Sequence, residues 1–551
     1  MSTYDERPGS DTRDSMRDAI DTYDSRRSTV YAPNGIVATS QPLAAEAGVN
    51  TLRNGGNAFD AAVTAATTLT VVEPFSTGLG GDVFALYRTA DGDVGAMSSI
   101  GTAPTGVDLE TLREQVRRET LAGEEPHSFP DRGPHTVTVP GSARGWESLL
   151  TELGTISLRE ALEPAIEYAA DGFPVTDVIA TQWSMWAENL VSDAARETYL
   201  FDGEPPAAGD RVTLPSLAET YRTLGEHGSD AMYEGPLGEQ VVDEVQSRGG
   251  YLSAADLASF EARFVDPIST TYNGTTVYQL PPPNQGPIAL EALNIAEELR
   301  TGDRSPESID RTHALVESMK RAFHDGHRFV ADPEYESVPT IWSKSHAKRR
   351  AETITDRAAT DVSGEFSGAD GDTVLITAAD GDGNVVSLIN SLFKPFGSGL
   401  TAGDSGVLLQ NRGSSFSFDS DALNRFAPGK RPFHTLIPSV VKFDDDDWAA
   451  FGVMGGYMQP QGHLQVLSSI VDHGSDLQTA LDRPRWRYRE NGELAVESRI
   501  DDTVLTKLVR RGHAVRVETP DEFGGGQIAR FENGVLSGAT DPRKDGIVSG
   551  Y

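Results

Sequence analysis

At 551 residues the chain is longer than a single compact core usually grows, so more than one structural unit is expected. Its 83 acidic and 47 basic residues give a formal charge of −36, which repels phosphate backbones and anionic lipids. Nucleic acids and membranes are therefore not expected as partners, and the acidic surface is typical of a protein suited to high salt. The absence of cysteine excludes disulfides, thiolate metal sites and cysteine nucleophiles.

The beginning of the chain changes character at Gly35. Residues 1–34 predict a flexible tail, and because its first 28 residues have no apolar export segment, a cytoplasmic protein is expected. After the tail, GIVATS predicts a short buried strand. QPLAAEAGVNTLRNGG then predicts a helix that ends at two glycines, and residues 57–70 predict a second, alanine-rich helix.

A glycine loop, EPFSTGLGGD, spans residues 73–82 and leads into the strand pattern VFALYRT. It lacks the lysine and the preceding strand of a phosphate-binding loop, so a nucleotide site is not expected. Asp60 and Glu73 flank this region and are expected to cap helices and organise turns. Residues 105–260 are predicted to be mostly helical.

The second half of the chain is richer in strand patterns. TTVYQL precedes a rigid PPPNQG segment, a long helix is predicted over 306–330, and residues 350–372 have the composition of an exposed linker. The strand patterns that follow are VLITAA, VVSLIN, VLLQN, LIPSVVKF, AAFGVM, AVRVET and GQIARF, with a solvated hairpin at the aspartates 444–447. Sheets covered by helices on their outer faces would bury these strands and give an α+β fold.

A possible metal motif lies at the end of the long helix. His324 and His327 flank Asp325-Gly326, which places the two histidines three residues apart. Such a pair without a firm third ligand is more often a surface or ion-pairing feature. No metal site is therefore predicted.

Several separated motifs together resemble the γ-glutamyltransferase (γ-glutamyltranspeptidase, glutathione hydrolase) family. They are NGGNAFDAAVTAATTLTVVEPFSTGLGGD, TVPGSARGW, LREALEPAIEYAADGF, LPPPNQG, DTVLIT with DGDGN, FGSG, and PFHTLIP with GVMGG. The resemblance implies a four-layer αββα N-terminal-nucleophile hydrolase sandwich without a cofactor. It also implies self-cleavage into a large subunit, 35–372, and a small subunit, 373–551, that stay associated.

The resemblance places the nucleophile at Thr373, which cleavage would turn into a new N-terminus. A threonine hydroxyl needs a nearby base, and a free α-amine with a pKa of about 7.7–8.0 supplies one. Ser391 matches a hydroxyl that bonds the nucleophile, and Gly455-Gly456 match the glycines whose N–H groups stabilise the oxyanion. The residue types alone leave simpler interpretations open: two strand residues and an ordinary tight turn.

The acyl-binding positions depart from the family pattern. Ile100 stands where an arginine would hold the glutamate carboxylate, and Phe393 stands where an asparagine is expected. Ser415 replaces the acidic partner of the α-ammonium group. A bidentate arginine–carboxylate pair supplies energy and register that isoleucine cannot replace.

A basic residue elsewhere could compensate. Arg412 occupies a position that is usually an uncharged glutamine, and His434 lies next to Thr435 where a carboxylate-binding serine is expected. The hypothesis is that Arg412, with His434, binds the carboxylate of another acyl group, such as that of oxamate. A structural ion pair of Arg412 in an acidic protein is the alternative.

These observations predict an amidase or acyltransferase that acts on γ-glutamyl compounds or similar small anionic amides through a threonyl acyl-enzyme. A non-glutamyl amidohydrolase of the same family is one alternative. A catalytically inactive binding homologue is another, and it would remain uncut.

Overall fold

The computed structural model describes residues 27–119, 128–360 and 373–551. Its strands, in chain order, are β1 Val30–Ala32, β2 Gly35–Thr39, β3 Asp82–Arg88, β4 Val94–Ser99, β5 Phe173–Pro174, β6 Arg211–Val212, β7 Arg263–Val265, β8 Ile268–Tyr272, β9 Thr275–Gln279, β10 Val374–Asp380, β11 Val385–Ser391, β12 Ser439–Asp444, β13 Asp447–Met454, β14 Trp486–Tyr488, β15 Glu493–Glu497, β16 Ala514–Glu518, β17 Gly525–Glu532, β18 Val535–Thr540 and β19 Ile547–Gly550. Its α-helices are α1 Pro42–Arg53, α2 Ala58–Val72, α3 Leu109–Glu119, α4 Ser142–Leu153, α5 Leu158–Asp171, α6 Asp177–Trp186, α7 Asp193–Tyr199, α8 Pro215–His227, α9 Asp230–Tyr233, α10 Pro236–Ser247, α11 Ala254–Ala258, α12 Gly286–Glu298, α13 Ile309–Phe329, α14 Lys344–Ala351, α15 Met458–His473, α16 Leu477–Asp482 and α17 Asp502–Arg511.

Two large antiparallel sheets form the centre of the described part of the chain. One has the strand order β1-β18-β17-β13-β12-β9-β8, and the other has the order β19-β2-β10-β11-β3-β4-β7. Each sheet takes strands from both sides of position 373, so the predicted segments 35–372 and 373–551 are interleaved. Cleavage between them would leave a shared core, because neither segment contains a complete sheet.

Three apolar clusters show that the sheets lie face to face between helical layers. In β10, Leu375 and Ala379 belong to the cluster between the sheets, which also contains Met454 of the opposite sheet. Val374 and Ile376 point the other way, into a cluster with α1, α2 and α5. The third cluster packs Phe451 and Val453 of the opposite sheet against α12, α13 and α15. Strand side chains alternate between faces, so a strand buried on both sides must be apolar throughout. The predicted α+β, αββα sandwich is confirmed.

The helices nearest the site begin with the expected caps. α2 starts at a capping box in which Asn57 accepts from the Asp60 N–H and Asp60 accepts from the Asn57 N–H. Asp60 also accepts from the Thr155 hydroxyl at 2.6 Å. The Glu73 carboxylate accepts from Ser40 at 2.7 Å and Ser76 at 2.9 Å. Both acidic residues therefore organise turns, as the sequence predicts.

Most predicted elements are present, including the long helix, which is α13, and the aspartate hairpin between β12 and β13. The strand predicted at VLLQN is wrong. Leu408 and Leu409 form isolated bridges to two different segments, because Gly403 and Gly406 with positive φ fold this stretch back on itself.

Part of the predicted tail is ordered structure. Residues 30–32 form β1, whose backbone pairs antiparallel with β18 and forms the edge of that sheet. Residues 1–26 of the predicted tail, and residues 361–372 of the predicted linker, lie outside the described residues. Among the helices described, none is both long and apolar enough to cross a membrane.

Candidate active site

Thr373, Ser391 and Asp82 lie side by side at the ends of three neighbouring strands. Val374 of β10 is opposite Asn390 of β11, and Ser391 of β11 is opposite Asp82 of β3. The register therefore brings the hydroxyl groups of Thr373 and Ser391 to 3.1 Å from each other. All three side chains are fully buried.

The turn between β10 and β11 explains this proximity. The Asp380 carboxylate accepts hydrogen bonds from the N–H groups of Asp382 and Asn384, at 3.1 and 3.0 Å. This closes the hairpin and fixes the pairing of its strands. Ser391 in turn accepts from the Phe393 N–H at 2.9 Å. The hydroxyl next to Thr373 is thus held by the backbone.

The predicted oxyanion glycines form the turn between β13 and α15. Gly455 and Gly456 have φ values of 113° and 55°, which L side chains rarely adopt. Within the described part of the chain, neither N–H donates a hydrogen bond to the backbone. Gln285 Nε2 donates to the carbonyl oxygens of Gly456, at 3.1 Å, and Thr435, at 2.8 Å. The turn is therefore fixed through its carbonyl, and its N–H groups lie where a helix N-terminus favours negative charge.

Asp82 and His434 form a buried polar pair beside this turn. His434 Nε2 lies 3.1 Å from Asp82 Oδ2, and His434 Nδ1 accepts from the Leu436 N–H at 3.4 Å. This pattern indicates a neutral imidazole that donates from Nε2. Burial lowers the pKa of His434 well below its ordinary value, and the positive charge of Arg412 lowers it further. Burial raises the pKa of Asp82 to about 7, although Arg412 and the N–H of Gly101 oppose the rise.

Arg412 is fully buried with an incomplete set of partners. Its Nη1 donates to the Thr435 hydroxyl at 3.0 Å, and its guanidinium stacks 4.0 Å from the centre of the Phe393 ring. Its Nε and Nη2 have no hydrogen-bond partner among the described residues. Burial lowers the pKa of Arg412 to about 9, with Asp82 acting in the opposite direction. The guanidinium therefore remains cationic at neutral pH, and two of its nitrogens have no hydrogen-bond partner among the described residues.

Ser415 lies at the end of the short 3-10 helix that begins with Arg412. Its hydroxyl is within donating distance of the carbonyl oxygens of Phe433, at 2.8 Å, and Arg412, at 2.9 Å. These contacts tie the backbone at Arg412 to the backbone at Phe433, next to His434. Ile100 is buried in the apolar cluster between the sheets, so that position carries no charge toward the site.

The histidine motif at the end of α13 is divided between two environments. His327 is packed against Phe323, Phe433 and Tyr457, and burial lowers its pKa to about 3. Asp325 instead pairs with Arg350 and lies 2.7 Å from His346. His327 therefore lies in an aromatic cluster, whereas Asp325 is ion-paired with side chains of α14.

Among the described residues, Asp82 is the main site residue that the sequence did not predict. It ends the motif GLGGD, which was interpreted only as a glycine loop before a strand. Its position immediately before an apolar strand was the available signal. Its contact with His434, 352 positions away in the chain, depends on tertiary structure that local patterns do not contain.

The αββα sandwich, with a threonine at the start of a central strand, defines the N-terminal-nucleophile hydrolase fold. The sequence profile of the Gamma-glutamyltranspeptidase family matches residues 44–551, so the chain belongs to this family. It is 36% identical to the glutathione hydrolase-like YwrD proenzyme of Bacillus subtilis strain 168. That alignment spans 535 residues and covers 95% of this chain and 99% of that protein. It is 34% identical to the oxamate amidohydrolase proenzyme of Klebsiella pneumoniae. That alignment spans 541 residues and covers 95% of this chain and 100% of that protein.

The solved structures give a consistent result. The cephalosporin acylase from Bacillus halodurans superposes with a TM-score of 0.88 and 37% identity, and the match covers 100% of this chain and 99% of that one. These relatives are named as a hydrolase-like protein, an amidohydrolase and an acylase, and the two curated ones are named as proenzymes. Their names differ in substrate, so the acyl group must be inferred from this chain's own residues.

Proposed function

We propose that the chain is a self-processing amidase that forms a threonyl acyl-enzyme and prefers a small acyl group with its own carboxylate. Cleavage before Thr373 would release an α-amine, which takes the hydroxyl proton as the oxygen attacks the amide carbon. The N–H groups of Gly455 and Gly456 would stabilise the oxyanion, and the amine then leaves with a proton. Water completes hydrolysis of the ester, or a second amine completes transfer.

The open guanidinium of Arg412 is the observation that supports this acyl preference. A fully buried arginine with two unpartnered nitrogens is costly unless a ligand completes its hydrogen bonds. A carboxylate matches the planar edge of a guanidinium and can accept two parallel hydrogen bonds from it. Because Phe393 and Thr435 fix the arginine, the group is preorganised for an anion.

The same surroundings disfavour a γ-glutamyl head group. An α-ammonium group needs an acidic partner, and Ser415 at the predicted position uses its hydroxyl on backbone carbonyls. The carboxyl group of Asp82 is the nearby acid, but its raised pKa leaves it partly neutral around pH 7. An acyl group with a carboxylate and no ammonium group, as in oxamate, fits these charges better.

The leaving amine would occupy a different side of the site. An open cavity of about 500 Å³ is lined by Gly455 and by the apolar side chains of Val178, Met185 and Trp186 from α6. Among its described lining residues, Arg412 and His434 are absent. Charged side chains, among them Arg487, Glu522 and Lys544, line the rest of this cavity, so the oxyanion turn separates the acyl side at Arg412 from a leaving-group side of mixed polarity.

The first experiment tests self-processing and the nucleophile together. Native protein should give two chains by intact mass, the smaller beginning TVLITAAD, whereas Thr373→Ala should remain a single chain. Thr373→Ser keeps a hydroxyl and should still be cut. Cleavage of Thr373→Ala at the same bond would reject the threonine mechanism.

The second experiment tests the acyl preference. The Arg412→Gln variant should still be processed but should lose about 10- to 100-fold in kcat/KM on mono-p-nitroanilides of dicarboxylic acids, because charged hydrogen bonds are worth about 1.5–3 kcal/mol. The methyl esters of the same acyl donors have no carboxylate and serve as the matched control, on which native and variant enzymes should be equal. Unchanged kcat/KM on the anionic donors, or higher native activity on γ-glutamyl-p-nitroanilide, would reject the preference.

A further inference from the structure

Three neighbouring helices bring potential metal ligands together at one point. Glu291 lies on α12, Asp325 on α13 and His346 on α14. One ligand atom from each of these side chains lies within 4.8 Å of the other two. None of the three belongs to the predicted catalytic or acyl-binding set, so the cluster is separate from the proposed reaction.

The Glu291 side chain points into this cluster and is buried without accepting a hydrogen bond. The residue is 0% exposed, and neither of its carboxylate oxygens has a hydrogen-bond partner among the described residues. His346 Nε2 is 3.3 Å from Glu291 Oε1, but its shorter contact, 2.7 Å, is with Asp325 Oδ2. Because buried polar groups are nearly always paired, this carboxyl group must either keep a proton or face a cation.

The charges around the cluster show what a cation would replace. Burial raises the pKa of Glu291 well above its ordinary value, and the negative charge of Asp325 raises it further, whereas Arg350 acts in the opposite direction. Without an ion, Glu291 therefore keeps its proton next to Asp325. A divalent cation would take the place of this proton, which passes to the solvent, and would neutralise the two carboxylates together.

The existing partners of Asp325 and His346 leave room for an ion. Arg350 pairs with Asp325, but a carboxylate has about four lone-pair positions and can bind an arginine and a metal at the same time. Arg349 Nη2 is 3.3 Å from His346 Nδ1, and this exposed side chain can move away when that nitrogen carries the proton. The metal would then bind His346 through Nε2.

The types of ligand and their spacing favour Zn²⁺. Zn²⁺ binds imidazole nitrogen and carboxylate oxygen at about 2.0–2.2 Å, so ligand atoms in its tetrahedral sites are about 3.3–3.5 Å apart. The 3.3 Å and 2.7 Å contacts of His346 Nε2 are close to this spacing, so small side-chain shifts suffice. The ion is smaller than a water molecule and fits between atoms that exclude water. We propose that Glu291, Asp325 and His346 bind one Zn²⁺ ion that links α12, α13 and α14.

His346 forms the solvent side of the proposed site. Its side chain is 19% exposed, whereas those of Glu291 and Asp325 are fully buried. The ion can therefore enter past the imidazole, and a water molecule can supply its fourth ligand. Because α12 begins directly after Gln285, which holds the oxyanion turn, the ion would also stabilise a helix next to the catalytic region.

A second cluster of potential ligands differs because its members already have partners. His313 Nε2 is 2.8 Å from the Thr355 carbonyl oxygen, and His313 Nδ1 is 2.9 Å from His513 Nε2. Glu317 pairs with Lys320 at 3.0 Å, so a cation of the protein already faces this carboxylate. An ion would have to displace these contacts, and we therefore expect one Zn²⁺ per chain.

Calorimetry of the full-length protein, freed of metal with a chelator, tests the site directly. Native protein should bind one equivalent of Zn²⁺ saturably, and Mg²⁺ should bind much more weakly because it prefers six oxygen ligands. Glu291→Gln has the shape of the protonated acid, so it should fold normally but lose at least about tenfold in Zn²⁺ affinity. Absence of one-to-one binding by the native protein, or equal affinity in Glu291→Gln, would overturn the proposal and leave a shared proton as the role of Glu291.

Two histidine variants on neighbouring helices provide a matched comparison. His346→Gln should also lose at least about tenfold in Zn²⁺ affinity, whereas His324→Gln, next to Asp325 but outside the cluster, should bind like the native protein. Zn²⁺ should raise the Tm of the native protein and of His324→Gln, but not that of Glu291→Gln. Equal losses in the two histidine variants would contradict the assigned ligands. These measurements do not use the amidase reaction, so they stand even where the proposed function fails.

Discussion

Two buried clusters of charge differ in how completely their members are paired. In the first, Asp541 accepts from Arg485 at 2.5 Å and from Arg543 at 3.0 Å, and Arg543 also pairs with Glu497 at 2.5 Å. In the second, Arg412 has two open nitrogens, and Asp82 contacts a neutral histidine. Both clusters are almost completely inaccessible to solvent.

The pKa directions of the carboxyl groups separate the two clusters, whereas burial lowers the pKa of Arg485 in the first as it lowers that of Arg412 in the second. Burial opposes ionisation of Asp541, but Arg485 and Arg543 outweigh it and lower the pKa of that carboxyl. At the candidate site burial prevails, so the pKa of Asp82 rises to about 7 and that of Arg412 falls to about 9. The first cluster is stable with its charges as they stand. The second holds charge against a desolvation cost, as expected of a site that awaits a ligand.

The largest predicted effect is on stability. Asp541→Asn removes the charge that two buried arginines share, and breaking such a pair costs about 3–5 kcal/mol. The same change at the second cluster, Asp82→Asn, removes a carboxyl whose raised pKa already lowers the stability of the folded protein at pH 7, so the free energy of unfolding should not fall. Urea unfolding of both variants measures the difference. Equal losses would show that the two clusters are energetically alike.

Arg412→Met should separate stability from activity, which makes the contrast between the two clusters sharper. Methionine fills similar space without N–H groups, so the unfolding free energy should stay the same or rise by about 1–2 kcal/mol, because unsatisfied buried donors are removed. Activity on anionic acyl donors should fall at least tenfold. Thermal unfolding and kcat/KM on the same preparation test both parts. A loss of stability as large as that of Asp541→Asn would make Arg412 a structural residue.

The titration of Asp82 predicts a pH dependence of anion binding. Its pKa is raised from the ordinary 3.8 to about 7, so the group is neutral below pH 7 and adds a negative charge beside Arg412 above it. The inhibition constant of a small dicarboxylate such as oxalate should therefore rise up to about tenfold between pH 6 and 8.

Asp82→Asn isolates this effect. Any pH dependence that does not come from Asp82 should be common to both proteins, so it cancels in the comparison. The rise centred near pH 7 should be absent from the variant. An identical pH profile in the two proteins would show that Asp82 does not sense the bound anion.

The sequence predicts those parts of the site that depend on local pattern. The DGDGN turn joins two strand patterns of fixed length, so the closeness of Thr373 and Ser391 follows from hairpin register. The role of Gly455 and Gly456 is predicted by the resemblance to the family, because the residues alone also allow an ordinary tight turn. The layered fold follows from strands that are apolar on both faces.

The long-range and electrostatic parts could not be predicted. The position of Asp82 beside Ser391 depends on pairing between β3 and β11, which are separated by about 300 residues. Whether Arg412 pairs with an acid or stays open depends on side-chain distances that composition does not contain. The sequence hypothesis allowed both outcomes, and the unpartnered nitrogens favour the ligand-binding one.

The smallest predicted effect concerns the leaving-group side, where apolar side chains from α6 lie beside charged residues. Met185 on α6 is 49% exposed and lines the cavity next to Gly455. An aromatic leaving amine would cover this side chain, and burying about 50 Å² of apolar surface is worth about 1 kcal/mol. Met185→Ala should therefore lower kcat/KM about fivefold on an anilide but leave a primary amide with the same acyl group unaffected. Val509→Ala, a similarly exposed apolar residue on α17, should change neither rate. A loss of the same size on both substrates would place Met185 in the general architecture of the site, and acyl and leaving-group recognition would then not be separable by charge.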